Sequence, residues 1–187
     1  MILKSLPVTR KSKDIRIIKD VYYSSFPKSE QAPFWFLLMR AKKGNVVFRA
    51  YYDDDALVGL AYLVLQGNLT FVVYIAVCQD KRSMGYGSQI LKQIKESYPG
   101  NRIILTIEMA NEKAKNNEQR EMRKKFYEKN GYAASGIIVE QRGDVFELLV
   151  HGGSCSAEDF EASFKKFIGT FIFAFAKPKL RDCRNLA

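Results

Sequence analysis

The chain has 187 residues, 47% hydrophobic and 27% charged, with a formal net charge of +10, so it can bury a substantial core without disulfide or metal staples. Three scattered cysteines, Cys78, Cys155 and Cys183, argue against a disulfide framework and for a reducing, cytoplasmic setting. Met1 to Pro7 is too short for the apolar core of a cleavable leader, and the late apolar run Ile168 to Ala176 falls well short of a membrane span.

Ile2 to Val8 predicts a first strand, and Asp14 to Ser25 a helix with Ile17, Ile18, Val21 and Tyr22 inward. Phe26-Pro27-Lys28-Ser29-Glu30 breaks that pattern before a short helix over Pro33 to Lys42. After Gly44 come three β-rich runs, Asn45 to Tyr52, Ala56 to Leu65 and Leu69 to Val77. Their short connections, Asp53-Asp54-Asp55 and Gln66-Gly67-Asn68, predict an antiparallel meander. An amphipathic helix follows, with Ile90, Leu91, Ile94 and Tyr98 on one stripe, and Pro99-Gly100 ends it. The pattern continues as a strand over Ile103 to Glu108, a helix ending near Tyr127, and strands near Ala133 to Val139 and Val145 to Val150. Phe160, Phe164, Phe167, Ile168, Phe171, Ile172 and Phe175 then recur at helical spacing. They predict one C-terminal amphipathic helix, either docked on the core or free to act as a homodimer contact or pocket lid. From Lys177 the chain reads as a basic, mobile tail.

The most informative segment is the turn Arg82-Ser83-Met84-Gly85-Tyr86-Gly87-Ser88, which lies between the strand ending Tyr74-Ile75-Ala76-Val77 and the helix. A helix N-terminus leaves several backbone N–H groups unpaired and positively biased, which suits an anion. Gly85 and Gly87 allow a tight turn and close backbone approach, and Arg82 adds a charge that can hydrogen-bond a phosphate. The nucleotide pattern GxxxxGK[ST] is absent. A dinucleotide fingerprint would need glycine where Ile90 stands, and a first glycine directly after the strand.

The order Ala76-Val77, polar loop, Arg82-x-x-Gly85-x-Gly87 and helix resembles the acetyl-coenzyme A signature of the GCN5-related N-acetyltransferase (GNAT) superfamily. Downstream, Phe126-Tyr127-Glu128-Lys129-Asn130-Gly131-Tyr132 resembles that superfamily's late motif, and by its own physics is a helix stop with Gly131 at the left-handed C′ position. The resemblance covers roughly residues 15 to 150. It implies an α/β fold of the α+β kind: a mixed, mostly antiparallel central sheet with a V-shaped opening, flanked by helices. It also implies one acyltransferase domain over 1–150, with 151–187 as a C-terminal helix and tail packed on it.

The function so implied is transfer of an acetyl group from acetyl-coenzyme A, as co-substrate and without a metal, to a primary amine of a small molecule or peptide, by direct attack in a ternary complex. Ser83, Met84, Tyr86 and Ser88 complete the coenzyme cradle with Arg82, Gly85 and Gly87, and the backbone of Ile75, Ala76 and Val77 takes the pantetheine arm and thioester. Asn111, in the charged insertion before the late motif, is the candidate for a further coenzyme contact. Tyr127 matches the superfamily's tyrosine near the sulfur, either donating a proton to the leaving thiolate or only packing there. Where some members carry a glutamate on the strand of Tyr74, this chain has Phe71, so the expected base is Glu108, with a surface ion pair as its alternative role. Phe26, Glu30 and Phe34 present either an acidic and aromatic wall to a cationic acceptor or capping and core residues.

Two rival readings stay open, a coenzyme-binding regulatory module without catalysis and a basic nucleic-acid-binding protein. The positive charge is dispersed, however, and the densest run, Arg120 to Lys125, contains Glu121 and reads as a solvated helix face. His151, the sole histidine, reads as a loop residue.

Overall fold

Apolar runs separated by short polar turns build the first strands: Val46–Asp53 alternates buried and half-buried only over Val46 to Ala50, and Ala56–Gln66 is buried continuously from Val58 to Val64. The computed structural model describes residues 2–141 and 143–183. They fall into two compact units, the first drawn from 2–65 and 72–99 and the second from 66–71, 100–141 and 143–183.

In the first unit β1 (Lys4–Pro7) pairs antiparallel with β2 (Val46–Asp53), and β2 pairs antiparallel with β3 (Ala56–Gln66). A two-residue turn joins β2 to β3, with Asp54 at φ 52, a left-handed value that a short polar side chain tolerates. The β2–β3 register slips between Tyr51 and Tyr52, which oppose Gly59 and Leu57. β4 (Leu69–Val77) follows the turn at Gly67-Asn68, and its residues 72–77 alternate buried and half-buried.

Helix α1 (Ile15–Ser25) buries Ile18 and Tyr22 completely. Ile17, expected inward, is 52% exposed, and Val21 is half-buried. The stripe is therefore narrower than the apolar spacing suggested. Helix α2 (Phe34–Arg40) buries Phe34 and Leu37, and the Tyr62 hydroxyl of β3 donates to the Leu37 carbonyl at 3.3 Å. Helix α3 (Tyr86–Ser97) buries Ile90, Leu91 and Ile94 as its stripe predicts.

In the second unit, Leu69 to Phe71 of β4 pair in parallel with Arg102 to Ile104 of β5 (Arg102–Glu108). β5 pairs antiparallel with β7 (Asp144–His151), β7 with β6 (Ala133–Gln141), and β6 with β8 (Lys179–Asp182). Helix α4 (Asn117–Lys129) lies between β5 and β6 in the chain. The strand order is β1-β2-β3-β4 in the first unit and β4-β5-β7-β6-β8 in the second, a mixed α/β fold, mostly antiparallel, with six α-helices among the described residues.

The single C-terminal helix expected over the aromatic seam is two helices. α5 (Ala157–Ile168) ends at Gly169, whose φ of 89° and ψ of 154° no helix accepts, and α6 (Thr170–Ala176) restarts beyond it. α5 begins with a capping box between Ser156 and Asp159, and it buries Phe160, Phe164 and Phe167. Phe160 meets Phe71 edge-on at 5.5 Å. α6 keeps Phe173 near Phe164 but leaves Phe171 and Phe175 80% and 82% exposed.

The tail read as mobile is ordered as far as Cys183. Lys179 to Asp182 form an edge strand on β6, Lys177 pairs with Glu161 at 2.9 Å, and Arg181 pairs with Glu140. The last four residues of that expected tail, 184–187, lie outside the described residues.

Candidate active site

The turn leading into α3 has the geometry of an anion cradle. A short 3-10 turn at Gln79–Lys81 closes β4, Arg82 is extended and exposed, and Ser83 adopts a left-handed φ of 62°. Gly85 is the helix N-cap at φ 86°, and no side chain caps the start. The first helical bond beyond it runs from the Gln89 N–H to the Gly85 carbonyl at 3.2 Å. The amides of Tyr86, Gly87 and Ser88 thus stand outside the i to i−4 ladder at the positive end of the dipole. That is the donor set a pyrophosphate needs, so the residues present fit the phosphates of coenzyme A.

Two neighbours that the sequence did not single out hold this turn. The Tyr86 hydroxyl donates to Asp53 Oδ2 at 2.7 Å, a bond to a carboxylate that raises the phenol's pKa. The Cys78 N–H donates to the Val58 carbonyl at 2.9 Å, and its buried thiol, raised by desolvation, points to the Leu57 carbonyl. Within β4, Ala76 is buried while Ile75 and Val77 are half-buried on the opposite face. Gly59 of β3 runs against Ala76 so closely that an added Cβ would collide with the Ala76 carbonyl oxygen.

The three residues expected to form an acceptor wall take different places. Phe34 is core, with 5% exposure and ring contacts to Tyr22 at 6.0 Å and Phe48 at 5.8 Å. Its aromatic surface is spent on packing, which corrects the wall reading for this residue. Phe26 is half-buried with its ring 4.8 Å from that of Tyr74. The Glu30 carbonyl accepts from the Tyr74 hydroxyl at 2.7 Å, and Tyr22 and Ala32 exchange two hydrogen bonds. The loop between α1 and α2 is therefore tied down by tyrosine hydroxyls, and burial raises the pKa of Tyr74.

In the second unit, Glu108 ends β5 with only 12% of its side chain exposed. Its Oε1 accepts from Arg120 Nη2 and its Oε2 from Arg123 Nη1, each at 3.0 Å. Both partners are arginines, and the ion pair expected at the surface is largely buried. This double pairing gives Glu108 the geometry of an anchor for the two arginines.

Arg120 and Arg123 were read from sequence as part of a solvated face. Lys124 of the same run also pairs inward, with Glu147 at 2.9 Å. Arg120 and Arg123 are three residues apart on α4, a spacing that puts both on one helix face.

Tyr127 is 7% exposed near the end of α4, with Phe126 and Tyr132 rings at 5.1 and 5.8 Å. Burial pushes its phenol up to about 12, and the nearby Arg123 charge works against that rise. The helix stop is as expected: Gly131 is left-handed at φ 79°, and the Tyr132 N–H returns to the Tyr127 carbonyl at 3.1 Å. His151 closes β7 instead of lying in a loop, and its Nδ1 stands 2.7 Å from the Gly131 carbonyl. Asn111 folds back on its own loop: its Oδ1 accepts the Lys113 N–H at 3.0 Å, and its N–H donates to Asn117 Oδ1 at 2.7 Å.

Among the described residues no group of three His, Cys, Asp or Glu is placed to hold a metal ion, and no helix is long and apolar enough to cross a membrane.

A family model described as an acetyltransferase (GNAT) domain matches residues 43–134. Among solved structures, an acetyltransferase of the GNAT family from Bacteroides thetaiotaomicron is similar, with a TM-score of 0.71 and 22% identity over 85% of this chain and 92% of that one. An aminoglycoside 6'-N-acetyltransferase complexed with coenzyme A matches with a TM-score of 0.62 and 16% identity over 79% and 95%. The ribosomal-protein-S18-alanine N-acetyltransferase from Escherichia coli matches at 0.59 and 12% identity over 83% and 98%. These likenesses concern the fold. A search of curated protein sequences finds no significant match.

Proposed function

We propose that the chain is an acetyltransferase of the GNAT family, and that it moves the acetyl group of acetyl-coenzyme A to a primary amine by direct attack within a ternary complex. The observation that carries this reading is the uncapped start of α3, with Gly85 left-handed and Arg82 exposed beside the amides of Tyr86, Gly87 and Ser88.

The coenzyme, when bound, supplies an activated thioester. Arg82 and the turn through Ser88 hold its phosphates, and the backbone of Ile75, Ala76 and Val77 orients its arm. Tyr127, fully protonated at neutral pH, is the residue that would offer an O–H to the coenzyme's sulfur, as the likeness of residues 126–132 to the late motif implies. With a phenol at about 12 and an ordinary thiol near 8.5, complete proton transfer is uphill by roughly 5 kcal/mol. The phenol therefore serves as a hydrogen-bond donor, and water completes the transfer. Glu108 anchors Arg120 and Arg123, and the acceptor ammonium loses its proton to solvent. On this reading residues 1–150 are the acyltransferase domain, and α5 packs on it through contacts such as that of Phe160 with Phe71.

The test is a panel of amines, amino acids and peptides incubated with acetyl-coenzyme A and read by thiol release, alongside calorimetric titration with coenzyme A. Acyl transfer predicts micromolar coenzyme binding and at least one acceptor turned over. Binding without turnover across the panel favours a regulatory coenzyme-binding module. Absence of binding removes both readings.

A further inference from the structure

The cluster of Glu108, Arg120 and Arg123 holds one more positive charge than negative, and the two arginines are not used alike. Arg120 is spent on protein: besides Glu108, its Nε donates to Asn116 Oδ1 at 3.0 Å and its Nη1 to the Met109 carbonyl at 2.9 Å, with 19% of the side chain exposed. Arg123 makes a single hydrogen bond among the described residues, to Glu108, and its side chain is 41% exposed. The remaining N–H donors of its guanidinium make no hydrogen bond among the described residues. It also precedes Tyr127 by one helical turn, and its charge reaches that phenol.

We infer that Arg123 is an oxyanion fork and that the acceptor amine carries a carboxylate, as an amino acid or a short peptide acid does. The inference rests on the acetyl-transfer reading and narrows its substrate class. A planar guanidinium pairs a carboxylate through two parallel N–H bonds, whereas a lysine offers only a point charge. Glu108 grips one Nη of Arg123 and so sets the direction in which the rest of the fork faces; it acts as a positioning residue. A polyamine or polycationic acceptor meets the wrong sign of charge here, because the only carboxylate of the cluster is occupied twice over. The other oxyanion available to such a fork is a phosphate of the coenzyme, which the experiment separates from an acceptor carboxylate.

Initial rates with acetyl-coenzyme A are compared for amino acids and for their carboxamides, matched in the reacting amine, using wild type, Arg123→Gln, Arg123→Lys and Glu108→Gln. The wild type is expected to show a KM about tenfold or more lower for the free acids. Arg123→Gln raises KM for the acids far more than for the carboxamides, Arg123→Lys restores part of the preference, and Glu108→Gln weakens it with the charge of Arg123 intact.

Equal KM values for acids and carboxamides in the wild type overturn the inference without need of any variant. So does an Arg123→Gln loss shared equally by both series, which reduces Arg123 to a structural role. A raised KM for acetyl-coenzyme A in Arg123→Gln overturns it in favour of a coenzyme phosphate contact. Turnover confined to amides or polyamines sinks this inference and leaves acetyl transfer standing. Failure to bind coenzyme A, or binding with no amine turned over, sinks acetyl transfer and this inference with it.

Discussion

Gly59 and Ala76 approach so closely that any side chain at Gly59 would strike the Ala76 carbonyl oxygen and stand 2.9 Å from the Ile90 side chain. The obstruction is backbone, which cannot rotate away, and it sits on the strand proposed to orient the coenzyme arm. Gly59→Ala is therefore expected to cost about 1–3 kcal/mol in urea denaturation. Coenzyme A affinity should fall with it. Gly44→Ala is the control, because an added Cβ there meets nothing within 4 Å. Equal stability of the two variants would remove the close approach as a constraint.

Gly85 poses the opposite problem. Space is open around it, but its φ is 86°. Gly85→Ala should cost about 1–2 kcal/mol in strain and weaken coenzyme A binding by deforming the cradle. Arg82→Gln, at an exposed position, should leave stability unchanged and lower coenzyme A affinity about tenfold. Calorimetric titrations at low and high salt check the second claim, since the loss should shrink as salt screens the wild-type contact.

Burial holds the Tyr127 phenol at about 12, whereas an unfolded tyrosine titrates near 10. The folded value is the raised one, so this contribution is fully present below about pH 10 and is lost as pH rises through about 12. A shift of that size corresponds to about 3 kcal/mol. Denaturant titrations at about pH 8 and about pH 11 should show the wild type losing stability and Tyr127→Phe losing measurably less. In single-turnover experiments the same variant should slow acetyl transfer while still binding coenzyme A. An unchanged chemical step would confine the phenol to packing.

Asp159 serves two structures at once. Its Oδ2 takes Arg102 Nη1 at 2.7 Å and the Ser156 N–H at 3.3 Å, while its own N–H donates to Ser156 Oγ at 3.1 Å. Arg102, at the start of β5, also reaches the Ser154 carbonyl and Asn68 Oδ1. Asp159→Ala removes a helix cap and a partly exposed ion pair together, for an expected loss of about 1–2 kcal/mol. Asp159→Asn should recover part of it. Guanidinium melts of the two variants decide the matter.

The C-terminal aromatics divide by burial. Phe164→Ala should cost about 3–5 kcal/mol. Phe171→Ser and Phe175→Ser, at rings 80% and 82% exposed, should stay within about 0.5 kcal/mol of wild type in the same melts.

What the sequence made legible is what local chemistry decides. The cradle could be read because two glycines, an arginine and an apolar stripe at Ile90, Leu91 and Ile94 all act within one turn and the helix it opens. The helix stop at Gly131 could be read for the same reason. The pairing of Glu108 with Arg120 and Arg123 could not, because it exists only once α4 packs on β5. From sequence alone those arginines resembled any charged helix face. Gly169 was visible in the aromatic run, but helical spacing on both sides of it masked the break. β8 has no apolar pattern of its own, and Lys179 to Asp182 are ordered by the open edge of β6. Phe34 looked like a binding residue because an aromatic side chain after a loop suits a wall and a core equally well.

β4 changes allegiance in mid-strand, between Phe71 and Val72, and each unit is assembled from two separate stretches of chain. A cut between Pro99 and Gly100 would leave every residue of the first unit on one fragment but strip Gln66 to Phe71 from the second, so no single cut releases the second unit whole. During synthesis, Leu69 to Phe71 emerge well before Arg102 to Ile104, against which they pair in parallel and which follow only after all of α3. The stretch that carries the cradle is thus complete before the second unit has begun its own strands. A chain ending at Gly100 would hold every residue of the coenzyme turn and lack Tyr127.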